Sequence, residues 1–186
     1  MKLGKPFPRL IALLGLAATV ASLSMTGART PSKAPVEIRP VWTEFKWPFP
    51  LDQWGVGRAF VCTSADCGSE VNIYLRPKIG FCNCTTGVID DEELDRVGDK
   101  ELITPEAIAT GPGRSVEIAW MKGRSRTFEK TDTTPTELLS MAFHDGCNLM
   151  VAVATFTPRN RETMELAVTA FLASDRVLRW VKWLSL

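Results

Sequence analysis

Five cysteines constrain the fold of this chain more than any other sequence feature. They are Cys62, Cys67, Cys82, Cys84 and Cys147, and the first four form the pattern C-x4-C followed by C-x-C. In an oxidising compartment such cysteines are typical of a disulfide framework, whereas in a reducing one they more often bind a metal or carry out redox chemistry. The compartment therefore decides how the cysteines are interpreted.

The N-terminal sequence indicates export. Residues 1–9 carry three basic residues and no acidic one, residues 10–23 carry no charge, and small residues follow up to Ala28. A basic start, a short apolar core and a small-residue exit are the three parts of a secretory signal peptide. We expect residues 1–28 to be removed, leaving a periplasmic or extracellular protein. The alternative is an uncleaved N-terminal anchor, although a bilayer span needs about 20 apolar residues.

Export favours disulfide bonds, and an odd number of cysteines leaves one without a partner in the chain. The preferred pairing joins Cys62 to Cys67 across a turn and bonds either Cys82 or Cys84 to Cys147. The alternative is a thiol-redox or metal-binding site formed by Cys62, Cys67, Cys82 and Cys84, because thiolates bind zinc and Cu(I). The C-x-x-C pattern of thioredoxin-like exchange is absent from the sequence.

The charge balance argues against nucleic-acid binding. The whole chain has 22 basic and 21 acidic residues. Removal of the three basic residues in 1–28 leaves 19 basic against 21 acidic residues, a net charge of −2. Nucleic-acid-binding domains normally carry a strong basic excess on one face. We therefore expect no nucleic-acid partner, and no motif predicts a cofactor.

The mature chain divides into an arm and one domain. Residues 29–56 are rich in proline and tryptophan, which predicts an extended arm whose rings pack on a core. Residues 57–186 are long enough for a single domain with one hydrophobic core.

The predicted strands and helices indicate an α+β fold. Period-two alternation over 71–79 and a nearly continuous apolar run over 148–157 indicate strands. Shorter patterns indicate strands at 58–62, 115–121 and 124–129, with a turn at Lys122 and Gly123 between the last two. We expect a small, mostly antiparallel sheet with helices packed on one side. These are a short acidic helix at 90–98, a helix near 135–144 and a C-terminal helix over 160–184. The helix near 135–144 rests on the start signal Thr134-Pro135-x-Glu137, and a strand over 137–143 is the competing interpretation.

Few residues are candidates for a catalytic or ligand-binding role, and none is predicted to be catalytic. His144 is the single histidine and is interpreted as a turn residue. The acidic run at 90–95 is interpreted as a solvated helix start, and Lys122, Arg124 and Arg126 as a solvated hairpin tip. The basic C-terminal helix is expected to close the core, with weak membrane-surface contact as the alternative.

These observations predict an exported binding or accessory domain without catalytic activity, stabilised by disulfides. Its partner would be a protein or a small molecule of the cell envelope. The thiol-redox or metal-binding protein remains the alternative.

Overall fold

The computed structural model describes residues 40–80, 84–130, 136–158 and 161–184. The chain divides into two units, residues 1–36 and residues 37–186, and every described residue belongs to the second unit. The predicted signal peptide, the first part of the predicted arm and Cys82 lie outside the described residues.

A sheet of eight strands forms the centre of the described unit. The strands are Trp42–Phe45 (β1), Arg58–Cys62 (β2), Val71–Ile79 (β3), Ile108–Ala109 (β4), Arg114–Ile118 (β5), Met121–Lys130 (β6), Thr136–Asp145 (β7) and Asn148–Phe156 (β8). Their order is β1-β2-β3-β8-β7-β6-β4, with β5 also paired to β6, and all pairs are antiparallel. The predicted α+β fold with an antiparallel sheet is confirmed, although the sheet is not small.

Four α-helices accompany the sheet in the described residues. They are Ser64–Cys67 (α1), Asp91–Val97 (α2), Arg161–Leu172 (α3) and Asp175–Leu184 (α4), with a short 3-10 helix at Lys100–Leu102. The segment predicted as one C-terminal helix thus contains two, separated at Ala173 and Ser174. Among these helices, none is long and apolar enough to cross a membrane.

The helix predicted near 135–144 is wrong, because this segment is the strand β7. It pairs with β6 on one side and β8 on the other, and residues 137–143 are all buried. A strand covered on both faces has a continuous apolar run, which periodicity alone cannot distinguish from a buried helix. The competing interpretation, a strand returning through an Asp-Gly turn, is the correct one. Gly146 takes the left-handed conformation in that turn, with φ of 55°.

Both faces of the sheet are covered. On one face, Met141 and Ala152 belong to the large core that includes α3 and α4. Their neighbours Ala142 and Val151 belong to a second core with Leu94 of α2. Successive strand residues point to opposite faces, so α2 lies on the face opposite α3 and α4. This second face carries the polar groups described below.

Candidate binding cleft beside His144

Two disulfide bonds join described cysteines, Cys62–Cys67 and Cys84–Cys147. Disulfide bonding is therefore confirmed. The first bond spans five residues around α1, and both of its cysteines are fully buried. The second spans 63 residues and joins two exposed cysteines. It connects the segment after β3 to the turn between β7 and β8.

The disulfides limit which cysteines are available for the alternative thiol-redox or metal-binding site of Cys62, Cys67, Cys82 and Cys84. Three of these cysteines are held in disulfides, and a disulfide sulfur offers no thiolate for a metal or for nucleophilic attack. Cys82 lies outside the described residues. Within the described ranges, no group of three or more His, Cys, Asp or Glu side chains is arranged to hold a metal ion.

A cleft of about 520 Å³ lies beside the Cys84–Cys147 bond. Residues 85–89 form one side, which we call the cleft wall, and β5, β6 and β7 supply the remainder. Its polar lining residues are Thr85, Thr86, Ser115, Glu117, Lys122 and His144. We call this the His144 cleft. Its volume falls in the range of small-molecule sites, about 300–1,000 Å³.

His144 is held in the cleft by its neighbours. It lies near the end of β7, opposite Lys122 of β6, and is half-buried. Its Nδ1 is 3.3 Å from the carbonyl oxygen of Gly146. A Cβ on Gly87 would overlap the imidazole ring, so the ring occupies space that only glycine leaves open. The turn histidine of the sequence interpretation therefore also lines a cleft, against a residue far from it in the sequence.

We predict that Gly87→Ala displaces the His144 ring and destabilises the fold. Gly87 has φ of 62°, which costs a non-glycine residue about 1–2 kcal/mol. The overlap with His144 should add about 1–3 kcal/mol. Gly55→Ala is the matched control, because Gly55 has φ of 76° and its added Cβ meets no described atom within 4 Å. Urea unfolding checks the difference, and equal losses in the two variants would show that the imidazole is not held as described.

Acidic residues of the run at 90–95 form ion pairs with Arg124 and Arg126. The prediction that each of these groups only faces solvent is therefore wrong. The turn between β5 and β6 is at residues 119–120, before the basic residues. Arg124 Nε donates to Asp91 at 2.6 Å, and Arg126 donates to Asp95 at 2.7 Å. Arg124 also donates to the carbonyl of Ile89 at 3.3 Å. Lys122 is exposed and lines the His144 cleft. These contacts attach α2 and the end of the cleft wall to β6.

Asp91 is the central acceptor in this attachment. Both of its carboxylate oxygens accept from the backbone N–H of Gly113, at 2.9 and 3.1 Å. That hydrogen bond, and secondly the one from Arg124, lowers the pKa of Asp91 below its usual value of 3.8. The carboxylate form is therefore more stable in the folded chain than in the unfolded one.

The lowered pKa of Asp91 predicts a loss of stability in acid. The contribution of this carboxylate is complete above about pH 4 and declines as the pH falls through the lower pKa of the folded state. Asp91→Asn should cost about 1.5 kcal/mol at pH 7, and the difference from the parent should shrink below pH 4. Denaturant titrations from pH 7 to pH 2 measure it. Glu92→Gln, exposed in the same helical turn, should show neither effect, and a pH-independent loss for Asp91→Asn would contradict the assignment.

A group of mostly buried charges lies beyond the other end of α2, and the sequence interpretation missed it. Arg76 donates to both carboxylate oxygens of Asp99, at 2.6 and 2.8 Å, and to both of Asp52, each at 2.8 Å. Lys78 Nζ is 3.0 Å from Asp99 and donates to the carbonyl of Val97 at 2.6 Å. Hydrogen bonding from Arg76 is the main cause of a lowered pKa at Asp52. We call Arg76, Lys78, Asp52 and Asp99 the buried ion cluster.

The fold and the cleft together define an α+β, disulfide-bonded domain with a cleft assembled from distant segments. No protein-family model matches the chain, and no curated protein matches it either.

Proposed function

We propose that the protein is an exported binding domain without catalytic activity, and that the His144 cleft holds a small hydrophilic carboxylate. The observation that carries this proposal is an exposed ammonium group, with hydroxyl and carboxylate neighbours, in a cleft large enough for such a ligand. The exposed ammonium of Lys122 is opposite His144 and also opposite Glu117, in the register of β5, β6 and β7. Three hydroxyl residues, Thr85, Thr86 and Ser115, surround them.

The chemistry of the lining residues supports this ligand class. An ammonium group suits a carboxylate, while hydroxyl groups and a glutamate suit hydroxyl or amino substituents on the same molecule. Ser115, Glu117 and Lys122 are on strands, which hold them more rigidly than a free loop would. A hydroxy acid or an amino acid carries the polar groups that these lining residues can bind.

Export is the second part of the proposal. The basic start and the uncharged stretch of residues 10–23 support a signal peptide, and the two disulfides fit an oxidising compartment. The mass of the exported protein under non-reducing conditions tests it. We expect the loss of residues 1–28, whereas a full-length mass in the membrane fraction would support the uncleaved anchor instead.

The single histidine makes the binding proposal directly testable. Because the chain has one histidine, its imidazole gives one pair of ring-proton NMR signals without any assignment work. Lactate and glycine are titrated, with glucose and inorganic phosphate as probes of the other polar classes. We expect saturable shifts of the His144 signals with a hydroxy or amino carboxylate at millimolar concentration or below.

Two variants separate cleft binding from a general effect. Lys122→Ala should weaken the saturable shift at least tenfold, while Lys46→Ala, outside the cleft lining, should leave it unchanged. Shifts caused equally by all four probes, or no shift with lactate and glycine, would contradict the carboxylate proposal. Saturation with glucose or phosphate alone would reassign the cleft to that ligand class.

A further inference from the structure

The two disulfides differ sharply in their accessibility. Cys62 and Cys67 have no exposed surface, whereas Cys84 and Cys147 are exposed. Thiol–disulfide exchange requires an attacking thiolate to reach a sulfur atom in line with the bond. In the folded chain a thiolate cannot reach the buried Cys62–Cys67 bond, whereas it can reach the exposed Cys84–Cys147 bond. One chain therefore contains a protected disulfide and an accessible one.

The accessible bond also holds the cleft wall. At its far end the wall is attached by Val88, which is 3% exposed in the core with Leu94, and by the hydrogen bond from Arg124 to Ile89. At its near end Cys84, next to Thr85, is bonded to Cys147, three residues after His144. Between these attachments lie Thr85, Thr86 and Gly87, which contact or line the space around the imidazole.

We propose that Cys84–Cys147 is an exchange site for a dithiol reductant, and that its reduction releases the near end of the wall and opens the His144 cleft. The far end stays attached through α2 and its ion pairs, so the sheet and both helical layers remain folded. The proposal assigns a redox-sensitive control to the cleft. Its effect on ligand binding rests on the proposed function, whereas the exchange and the movement of the wall do not.

The exchange balances without any group beyond the reductant. One thiolate of the dithiol attacks a sulfur of the Cys84–Cys147 bond, forms a mixed disulfide and releases the other cysteine as a thiolate. The second thiol of the reductant, as its thiolate, then attacks the mixed disulfide and releases the remaining cysteine. Two electrons and two protons pass to Cys84 and Cys147, and the reductant ends as a disulfide.

Selective labelling tests the exchange. The oxidised full chain is mapped by non-reducing mass spectrometry, treated with dithiothreitol without denaturant, quenched with N-ethylmaleimide and digested. We expect Cys84 and Cys147 to be labelled at least tenfold faster than Cys62 and Cys67, which are the internal control. Equal labelling of the two pairs, or a native map joining Cys82 to Cys147, would overturn the proposal.

The histidine signals test the movement of the wall without any ligand. The same reduction should shift the ring-proton signals of His144, while the tryptophan bands of the near-ultraviolet circular dichroism, at longer wavelength than the disulfide's own band, stay unchanged. The double variant Cys84→Ser with Cys147→Ser should show the shifted signals without reductant. Unmoved signals, or loss of the tertiary signal on reduction, would contradict the opening of the wall. If the wall moves but lactate and glycine bind neither form, the proposed function fails and the redox control stands.

Discussion

Replacement of Arg76 by alanine should lower the free energy of unfolding by about 3–5 kcal/mol, because it leaves a buried carboxylate without its main partner. Arg76 is 3% exposed and Asp99 is 7% exposed, so water cannot replace the lost hydrogen bonds. Lys78 remains beside Asp99 and compensates only in part. The pKa of Asp52, at the more exposed edge of the buried ion cluster, should also rise toward its ordinary value, because hydrogen bonding from Arg76 is the main cause of the lowering.

Urea unfolding measures this loss against two comparison variants. Arg58→Ala removes the pair with Glu44, which is more exposed, and should cost about 1 kcal/mol or less. Arg76→Lys keeps the charge but not the two-pronged hydrogen bonding to Asp99, so an intermediate loss is expected. Equal losses for Arg76→Ala and Arg58→Ala would show that burial of the cluster does not govern its energetics.

The central strands of the sheet could be predicted because their signals are local. In β3, Val71, Ile73 and Leu75 alternate with more polar residues, and all three are fully buried. In β8, the apolar run corresponds to a strand whose side chains are buried on both faces of the sheet. Each pattern is contained in about ten residues, so no knowledge of distant partners was needed.

The sequence predictions failed where the structure around a residue depends on residues far away in the sequence. The helix-start signal before β7 is also local, but pairing with β6 and β8 determines the outcome. The alternation in β3 predicted no partner for Arg76, which donates to Asp99, 23 residues later in the chain. Complementary charge was the available signal for the pairing of α2 with β6. The two acids, Asp91 and Asp95, are four residues apart and so lie on one face of a helix. The two basic residues, Arg124 and Arg126, are two residues apart and so lie on one face of a strand, and each acid accepts from one of them.

The His144 cleft was beyond prediction for the same reason. Gly87 leaves room for a histidine 57 positions later in the sequence. Neither residue type specifies the other, and the attachments of the cleft wall at Val88, Ile89 and Cys84 bring them together. The disulfide between Cys84 and Cys147 was the one covalent clue, and the sequence left Cys82 open as the partner of Cys147.

Removal of the Cys84–Cys147 bond by Cys84→Ser with Cys147→Ser should cost about 4 kcal/mol of unfolding free energy. The bond closes a loop of 63 residues, and in the chain-entropy model a cross-link stabilises mainly by restricting the unfolded chain. The same relation gives only about 2 kcal/mol for Cys62–Cys67, which closes five residues. Urea unfolding of the two double variants, with alanine at the buried pair, compares the losses.

The slope of unfolding free energy against urea separates the entropic mechanism from lost native contacts. A chain without the long cross-link expands further when unfolded and exposes more surface, so the slope should increase for Cys84→Ser with Cys147→Ser. It should change little for Cys62→Ala with Cys67→Ala, because a loop of five residues restricts the unfolded chain only locally. A loss near 4 kcal/mol with an unchanged slope would mean that the exposed bond stabilises native contacts of the cleft wall. A larger loss at the buried pair would reverse the ranking and contradict the loop-length argument.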